Sequence, residues 1–325
     1  MQVRLHRGGN PRRPRIAQAA HLKGKAGKTP RAAKPLSIPP AISGRTRIAA
    51  VFGDPVEHSL SPAMHNAAYA ALGLDRAYVA FHVMSHALAD AIGAIPALGI
   101  IGVNLTVPHK EAAVPMVRAL SDEAKLLGAV NCIVNRGGEL FGDNSDARGL
   151  ERDLRARRVN IRGKTAIVIG AGGAGAAAIL ACSRLGANEI ILANRTRERA
   201  EALAERLRAS PEMPALAVRG LDALNDCALL SEVAAIINAT SMGLTTDRFA
   251  KLDYALTPAN CFFYDTVYSA EPTAFLKPAI ALGRRYADGA GMLAGQGEIA
   301  FELFNGVAPP RGLMMRVLME RLGRA

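Results

Sequence analysis

Short apolar runs alternate along the chain with segments in which apolar residues recur at helical spacing. The first of these runs occupy residues 48–52, 78–83 and 100–106, and their length and composition are typical of buried strands. Ser61 and Pro62 predict the N-cap and first residue of a helix that Gly73 ends. Because each pair of strands is separated by a segment of helical length, the pattern predicts an α/β domain with a mostly parallel sheet.

A second series of the same kind starts at residue 165. Strands are predicted at residues 165–169, 189–193, 234–238 and 262–266, and helices at residues 176–185, 200–207, 293–304 and 313–322. The chain is therefore predicted to form two open α/β domains, with a boundary near residues 146–153. The second of them is predicted to be a Rossmann-type dinucleotide-binding domain.

A glycine-rich turn stands between the strand at 165–169 and the helix that follows it. Gly170, Gly172 and Gly175 satisfy the spacing G-x-G-x-x-G, and Gly173 and Ala174 complete the turn. Such a turn needs the dihedral freedom of glycine and lets the backbone approach a pyrophosphate at the start of the helix. The pattern predicts a dinucleotide site; the alternative is a Gly/Ala-rich helix packed closely on a sheet.

The end of the next strand indicates which dinucleotide is bound. A site for NAD carries Asp or Glu about 20 residues after the glycines, to bind the ribose 2′-hydroxyl. This chain has Asn194, Arg195 and Thr196 there, followed by Arg197 and Arg199. A guanidinium attracts a 2′-phosphate that a carboxylate would repel, so NADP is predicted. Arg197 and Arg199 could instead belong to a solvated charged face.

Four polar clusters lie among the predicted strand ends of the first domain. They are His58-Ser59-Leu60-Ser61-Pro62, Asn104-Leu105-Thr106-Val107-Pro108-His109-Lys110, Gly128-Ala129-Val130-Asn131 and Gly142-Asp143-Asn144-Ser145-Asp146. Ligands of open α/β sheets bind at the carboxyl ends of the strands. The hydroxyl, amide, ammonium and carboxylate groups of these clusters suit a small, polyhydroxylated, anionic ligand.

Three further motifs follow the four clusters and the glycine turn: Asn-Arg-Thr at 194–196, Asn-Ala-Thr-Ser at 238–241 and the closing Gly-Met-Leu before Gln296. In the identity and order of all these motifs, the chain resembles the shikimate dehydrogenase family over residues 48–322. The resemblance implies a reversible, NADPH-dependent reduction of 3-dehydroshikimate to shikimate, within chorismate and aromatic amino acid biosynthesis, in the cytoplasm. It also implies a substrate domain at 46–146, an NADP-binding domain at 147–288 and C-terminal helices at 289–325 that return to the substrate domain.

The resemblance assigns a role to each matching residue. Lys110 and Asp146 match the catalytic pair, and Ser59 and Ser61 match the contacts of the substrate carboxylate. Further substrate contacts are implied at Asn104, Thr106, Asn131, Tyr268 and Gln296. Cofactor contacts are implied at Gly170, Gly172, Gly173, Ala174, Gly175, Asn194, Arg195, Thr196, Arg199, Asn238, Ala239, Thr240, Ser241, Val267 and Gly289.

The role of Lys110 and Asp146 is also chemically reasonable. Delivery of a hydride to a ketone generates an alkoxide, so a proton donor must lie within hydrogen-bonding reach. A lysine oriented by a carboxylate can supply that proton, and in the reverse direction it accepts one. The alternative is a salt bridge that only joins two loops.

Two other functions remain open. A quinate or quinate/shikimate dehydrogenase would share the fold. Ser61 favours shikimate, because quinate enzymes tend to have Thr at this position. Arg195 favours NADP and therefore also shikimate, because several quinate enzymes use NAD. A metabolite sensor without activity would have lost part of the Lys110–Asp146 pair or of the glycine motif, and this chain has both.

Composition changes this picture little. The net charge of +12 comes from the tail: residues 1–47 hold 12 Lys or Arg and no Asp or Glu, so the body is balanced. The tail, residues 1–45, is predicted to be disordered. It could be an idle extension, a targeting segment or a phosphate-contacting arm, and a nucleic-acid partner is not favoured. The four cysteines lie far apart, so neither a metal site nor a disulfide is predicted. The uncharged stretch at 165–183 is assigned to the cofactor turn, not to a membrane span. A monomer or homodimer is expected.

Overall fold

The computed structural model describes residues 42–242 and 249–324. Up to residue 41, the tail predicted as disordered lies outside the described residues. The predicted segment 238–241 is described, whereas the six residues from 243 to 248 are not.

The first sheet is mixed and has six strands. They are β1 (Arg47–Gly53), β2 (Arg76–His82), β3 (Gly102–Leu105), β4 (Ala119–Leu120), β5 (Cys132–Arg136) and β6 (Glu139–Asp143), in the order β2-β1-β3-β5-β6-β4. β1 pairs in parallel with β2 and β3, and β4 with β6. β5 is antiparallel to both of its neighbours. The prediction of a mostly parallel sheet therefore holds for three of the five strand pairs.

The antiparallel strand β5 explains one error of the sequence analysis. Asn131 was placed at the carboxyl end of a strand, but it lies immediately before the first residue of β5. Because β5 runs against β3, its beginning meets the edge of the sheet at which β3 ends. The β5–β6 hairpin turns at Gly137 and Gly138, which have φ values of 64° and 97° that side chains rarely adopt.

Four helices connect the strands of this sheet: α1 (Ser61–Leu72), α2 (Leu88–Ala97), α3 (His109–Ala112) and α4 (Asp122–Leu127). Gly73 ends α1 in the left-handed conformation, as predicted. The predicted N-cap was wrong by one residue. Leu60 occupies the cap position and Ser61 is the first helical residue, so the Ser61 hydroxyl does not cap the helix. That hydroxyl is instead available to the cleft described below.

The second sheet is parallel throughout. Its strands are β7 (Thr165–Ile169), β8 (Glu189–Ala193), β9 (Ala215–Arg219), β10 (Val233–Asn238), β11 (Phe262–Asp265) and β12 (Arg285–Ala287). They lie in the order β12-β11-β10-β7-β8-β9, which is the strand order of a doubly wound dinucleotide-binding fold. The order reverses between β7 and β10, and both strands end beside the glycine turn.

The helices of the second half are α6 (Gly173–Arg184), α7 (Arg197–Arg208), α8 (Cys227–Glu232) and α9 (Leu276–Ala281). α6 and α7 begin three residues earlier than predicted in each case; α7 contains the whole predicted segment, and α6 ends one residue before the predicted end. α6 begins at Gly173, within the glycine motif, because the last residues of the motif already belong to the helix.

Two long helices join the two halves: α5 (Asp146–Ala156) and α10 (Ala290–Asn305), followed by α11 (Leu313–Arg321). α5 and α10 cross closely because the crossing is made at glycines. A Cβ on Gly149 would lie 2.6 Å from the backbone nitrogen of Gln296, and one on Gly295 would lie 2.9 Å from the Gly149 carbonyl oxygen. α10 and α11 continue into the core of the first sheet, where Phe301 and Met314 are fully buried.

Candidate active site

A cleft of about 420 Å³ lies where the carboxyl ends of the two sheets meet. It is lined by all of the predicted catalytic and substrate-binding residues: Ser59, Ser61, Asn104, Thr106, Lys110, Asn131, Asp146, Tyr268 and Gln296. Two predicted cofactor residues, Ala174 and Gly289, line the same cleft. Residues that are up to 237 positions apart in sequence, such as Ser59 and Gln296, are thus brought to one place.

The strand topology accounts for this convergence. Asn104 lies in β3 and Thr106 just beyond its end, Asn131 directly precedes the antiparallel β5, and Asp146 follows β6 after two residues. β6 is antiparallel to β5 and therefore ends at the same edge as β3. Three consecutive neighbouring strands place their polar residues at one edge of the sheet.

Lys110 and Asp146 form the centre of the cleft. The Lys110 Nζ donates to Asp146 Oδ2 at 2.6 Å, and the two side chains are 25% and 8% exposed. The other carboxylate oxygen, Oδ1, accepts from Asn131 Nδ2 at 2.8 Å. Asp146 is also the first residue of α5, where the helix dipole stabilises a negative charge. The carboxylate is therefore held in one orientation, and it orients the ammonium group beside it.

The backbone around the pair is fixed as well. The Lys110 carbonyl accepts from the Val130 amide at 2.8 Å, which ties α3 to the loop that carries Asn131. His109 is buried, and its Nε2 lies 2.6 Å from the Val83 carbonyl oxygen. This contact anchors the residue next to Lys110 and so helps to fix the position of the Lys110 backbone.

A half-buried ionic cluster holds the loop that leads into Asp146. Arg148 pairs with Asp143 at 2.6 Å and with Glu123 at 3.2 Å, and Glu123 also pairs with Arg184 at 2.9 Å. The pKa of Glu123 is raised, since burial outweighs the two guanidinium groups, whereas the hydrogen bonds and charge around Asp143 lower its pKa despite burial. Arg184 ends α6 in the second half, so the cluster links the halves behind the cleft.

The serine side of the cleft has a local turn. The Ser59 Oγ accepts from the backbone amide of Ser61 at 3.4 Å, which leaves its hydroxyl proton free to be donated. Both serines line the cleft. The cleft also contains residues to which sequence analysis gave no substrate role: His58, Thr266, Met292 and Leu293. His58 and Thr266 adjoin recognised motif residues, so adjacency is the signal that could have found them.

A second cleft, of about 380 Å³, lies over the glycine turn. Its predicted lining residues are Gly170, Gly172, Asn194, Arg195, Thr196, Arg199, Ala239, Thr240 and Ser241; Ala171, Leu221 and Met242 also line it. Gly170 has a φ of 111°, and a Cβ there would lie 2.7 Å from Thr240 Cγ2. Gly170 thus permits close packing against the end of β10. Among the described residues, a Cβ on Gly172 would meet only Arg199 Nη2, at 3.9 Å, and one on Gly173 would meet nothing within 4 Å, so the start of α6 faces open space, as a bound pyrophosphate requires.

The arginines separate into two kinds. Arg195 and Arg199 line the second cleft, and Arg199 Nε donates to the Ala171 carbonyl at 3.1 Å. Arg197 is exposed and lies 3.6 Å from Glu201 across one turn of α7. Arg197 therefore lies on an exposed, charged face of α7 outside the cleft, whereas the positions of Arg195 and Arg199 suit a phosphate.

Several predicted cofactor residues lie beneath the clefts and do not line them. Asn238 is fully buried; its Oδ1 accepts from the Thr240 amide and hydroxyl at 3.1 and 2.7 Å, and its Nδ2 donates to Asp265 Oδ1 at 3.0 Å. Val267 donates its amide to the same Asp265 oxygen at 3.1 Å. Burial raises the pKa of Asp265 to about 6. Gly173 and Gly175 belong to α6.

The described residues hold neither a metal cluster nor a membrane-spanning helix. Within residues 42–242 and 249–324, no three His, Cys, Asp or Glu side chains are grouped so as to hold a metal ion. No helix in these ranges has the length and apolar character to cross a membrane. The uncharged stretch at 165–183 forms β7 and most of α6. The four cysteines, all of which lie in these ranges, are unpaired.

Family models match this chain in three consecutive segments. The shikimate dehydrogenase substrate binding domain matches residues 51–133, the shikimate / quinate 5-dehydrogenase model residues 153–260, and the shikimate 5′-dehydrogenase C-terminal domain residues 289–319. A shikimate dehydrogenase (NADP(+)) from Citrifermentans bemidjiense is 40% identical over 282 residues, covering 86% of this chain and 97% of that protein. This chain belongs to the shikimate dehydrogenase family.

Solved structures of this family have the same architecture. The shikimate 5-dehydrogenase of Thermus thermophilus, in complex with NADP(H) and shikimate, is 37% identical, with a TM-score of 0.76 over 85% of this chain and all of that one. The quinate dehydrogenase of Corynebacterium glutamicum, in complex with NAD, is 29% identical, with a TM-score of 0.78 over 85% of this chain and 99% of that one. The predicted family and the predicted pair of α/β folds are confirmed.

Proposed function

We propose that this protein is an NADP-dependent oxidoreductase that reversibly reduces 3-dehydroshikimate to shikimate. The observation that carries the proposal is the Lys110–Asp146 pair, placed at 2.6 Å in a polar cleft. Relatives named shikimate dehydrogenase (NADP(+)) at about 40% identity support both the reaction and the cofactor. The reaction belongs to the chorismate pathway of aromatic amino acid biosynthesis.

The substrate lies in the larger cleft. Ser59 and Ser61 donate their hydroxyl protons to its carboxylate. Arginine is not among the described residues that line this cleft, so hydroxyl groups bind the carboxylate there. The ring hydroxyls are bound by Asn104, Thr106, Asn131, Tyr268 and Gln296. These groups offer both donors and acceptors, as a polyhydroxylated ring requires.

The cofactor lies over the glycine turn. Gly170, Gly172, Gly173, Ala174 and Gly175 form the turn for the pyrophosphate, and Asn194, Arg195, Thr196 and Arg199 bind the 2′-phosphate. Asn238, Ala239, Thr240, Ser241, Val267 and Gly289 border the nicotinamide half. The open space at Gly172 and Gly173, which larger side chains there would fill, fits a dinucleotide. When bound, NADPH supplies the hydride.

The protein's own residues manage the proton. The Lys110 Nζ donates a proton to the carbonyl oxygen as it is reduced, and in the reverse direction it accepts the hydroxyl proton. Asp146 keeps the ammonium group in position, and Asn131 keeps the carboxylate in position through Oδ1. The low exposure of Asp146 limits competition from water for these contacts.

The domain assignment follows from these sites. Residues 46–146 form the substrate domain, residues 147–288 the NADP-binding domain, and residues 289–325 return to the substrate domain. The packing of α10 and α11 into the core of the first sheet supports the last assignment. We place the protein in the cytoplasm, as a monomer or homodimer, with neither a membrane nor a nucleic-acid partner.

A quinate dehydrogenase is the second candidate, and the similarity to the Corynebacterium glutamicum enzyme supports it. Initial rates measured at the reduced-nicotinamide absorbance band, with shikimate and quinate each paired with NADP and NAD, separate the two. Activity concentrated in the shikimate–NADP pair is expected. Faster turnover of quinate or of NAD would contradict the assignment of Ser61 or Arg195. Folded protein without turnover in any pair would favour a sensor.

The catalytic role is tested with two variants of Lys110. Lys110→Ala is expected to lower kcat by roughly 10²–10⁴, because the proton donor is lost. Lys110→Arg keeps a cation beside Asp146 but cannot release a proton near neutral pH, so it is expected to be nearly as slow. If Lys110→Arg restored most of the rate, the pair would be a salt bridge that only joins two loops.

A further inference from the structure

Tyr78 lies beneath the substrate side of the cleft, in the edge strand β2. It is 1% exposed and is not among the residues that line the cleft. Its hydroxyl donates to Asn104 Oδ1 at 2.8 Å. One buried phenol therefore fixes a residue that the proposed function assigns to the substrate ring.

The remaining contacts of Asn104 determine what its side chain can offer to a ligand. Its Nδ2 donates to the Asn131 carbonyl at 3.0 Å and to Cys132 Sγ at 3.4 Å. Both amide protons are thus directed at protein atoms, and Oδ1 already accepts from Tyr78. The free lone pair of Oδ1 is what Asn104 presents to the cleft, as an acceptor for a hydroxyl proton.

Tyr78 is itself held firmly. Its ring is stacked on His65, with centroids 4.1 Å apart and an interplanar angle of 20°. Its backbone amide donates to Asn66 Oδ1 and its carbonyl accepts from Asn66 Nδ2, both at 2.8 Å. Burial raises the pKa of Tyr78 well above its ordinary value, so the phenol keeps its proton. The hydroxyl is a fixed donor whose position is set by packing.

From this geometry we infer that Tyr78 is a positioning residue for the substrate. It holds the Asn104 amide in one orientation, so that Oδ1 is presented to the substrate ring as an acceptor of defined direction. The inference rests on the proposed function, because it assumes that Asn104 contacts the substrate. Tyr78 touches neither substrate nor cofactor and acts through Asn104.

The first test is Tyr78→Phe, which keeps the ring on His65 and removes only the hydroxyl. The variant leaves Asn104 Oδ1 without its donor, so that the amide is held through Nδ2 alone and its oxygen is less well oriented; shikimate is expected to bind about tenfold more weakly. The dissociation constant is measured by calorimetry on enzyme without cofactor, and KM by initial rates. kcat and the KM for NADP are expected to stay within about twofold, since the Lys110–Asp146 pair and the glycine turn are untouched.

Tyr69→Phe is the matched control. Tyr69 is fully buried in the same core, 5.0 Å from the Phe301 ring centroid, and it does not line the cleft. Its loss of one hydroxyl is expected to leave shikimate binding unchanged. A similar loss of affinity in both variants would overturn the inference, because it would show a general loosening of the core.

Coupling between residues provides the second test. If Tyr78 acts through Asn104, Tyr78→Phe should have little further effect on shikimate affinity in an Asn104→Ala background. Additive losses of affinity in the double variant would contradict the inference. Should Tyr78→Phe not fold, Asn104→Ala decides the matter: a loss of shikimate affinity of about tenfold or more supports the role, and unchanged affinity contradicts it, because Tyr78 would then have no substrate contact to act through.

The two proposals fail in different ways. Wild-type enzyme that neither binds nor turns over shikimate would reject the proposed function itself. Wild-type enzyme that does so, together with a folded Tyr78→Phe variant of unchanged affinity, would reject only the positioning role. A parallel fall in kcat and in cofactor affinity would reject it as well.

Discussion

Replacing Gly175 by alanine adds one methyl group at the closest approach of α6 to the glycine turn. A Cβ on Gly175 would lie 1.9 Å from the Gly170 carbonyl oxygen and 2.9 Å from the Gly170 carbonyl carbon. Real Cβ atoms essentially never come within 3.0 Å of such atoms, so helix and turn must separate by at least about 1.1 Å. The contact is with backbone, so no flexible side chain can absorb it.

The size of the effect follows from what that separation disturbs. Overpacking of a buried position costs about 1–3 kcal/mol, and each kcal/mol lowers Tm by roughly 1–2 °C in a protein of this size. The shift also displaces the backbone amides that face the pyrophosphate. A charge-assisted hydrogen bond contributes about 1.5–3 kcal/mol, so the loss of one raises the KM for NADP by roughly tenfold or more.

Thermal unfolding and initial rates over a range of NADP concentrations measure both effects. Gly173→Ala is the control for stability, since a Cβ at Gly173 has no atom within 4 Å and alanine is the better helix former. Its Tm is expected to be unchanged or slightly raised. A Gly175→Ala variant with the Tm and NADP KM of the wild type would refute the reasoning, because the helix would then not be held against the turn.

Two further predictions concern charge. Arg195→Asp is expected to weaken NADP binding by at least about tenfold and to erase the preference over NAD. Arg197→Asp, beside Glu201 and outside the cleft, should leave that preference intact. The KM values of both variants for NADP and NAD decide this, and equal selectivity in wild type and Arg195→Asp would exclude the phosphate contact. Asp265, with its pKa raised to about 6, binds its proton more tightly in the folded state, so the stability this proton contributes is fully present below pH 3.8 and is lost as the pH rises through 6. Urea unfolding should show wild-type stability falling over that range by up to about 3 kcal/mol more than Asp265→Asn does; parallel pH profiles would contradict the assignment.

Four of the six strands of the second sheet could be predicted from sequence to within about one residue at each end, whereas β9, β12, α8 and α9 were not predicted. β7 and β8 have the predicted bounds, because their apolar runs are bordered by glycine, asparagine and charged residues that end a strand. The glycine spacing likewise indicated where a dinucleotide binds, because positions that must lack a side chain are visible in the sequence as glycines. The same holds for the order of the polar clusters, from which the family could be recognised.

What the sequence left undetermined depends on contacts between distant segments. The antiparallel direction of β5, which brings Asn131 beside Asp146, comes from its pairing with β3 and β6 and leaves no periodic signal. Tyr78 reads in sequence as one apolar residue of a strand, and only the position of β2 beside β1, one strand away from β3, brings its hydroxyl to Asn104. Periodicity records which face of an element is buried; tertiary structure alone decides which polar atoms meet there, because a hydrogen bond depends on ångström-scale position that residue type does not encode.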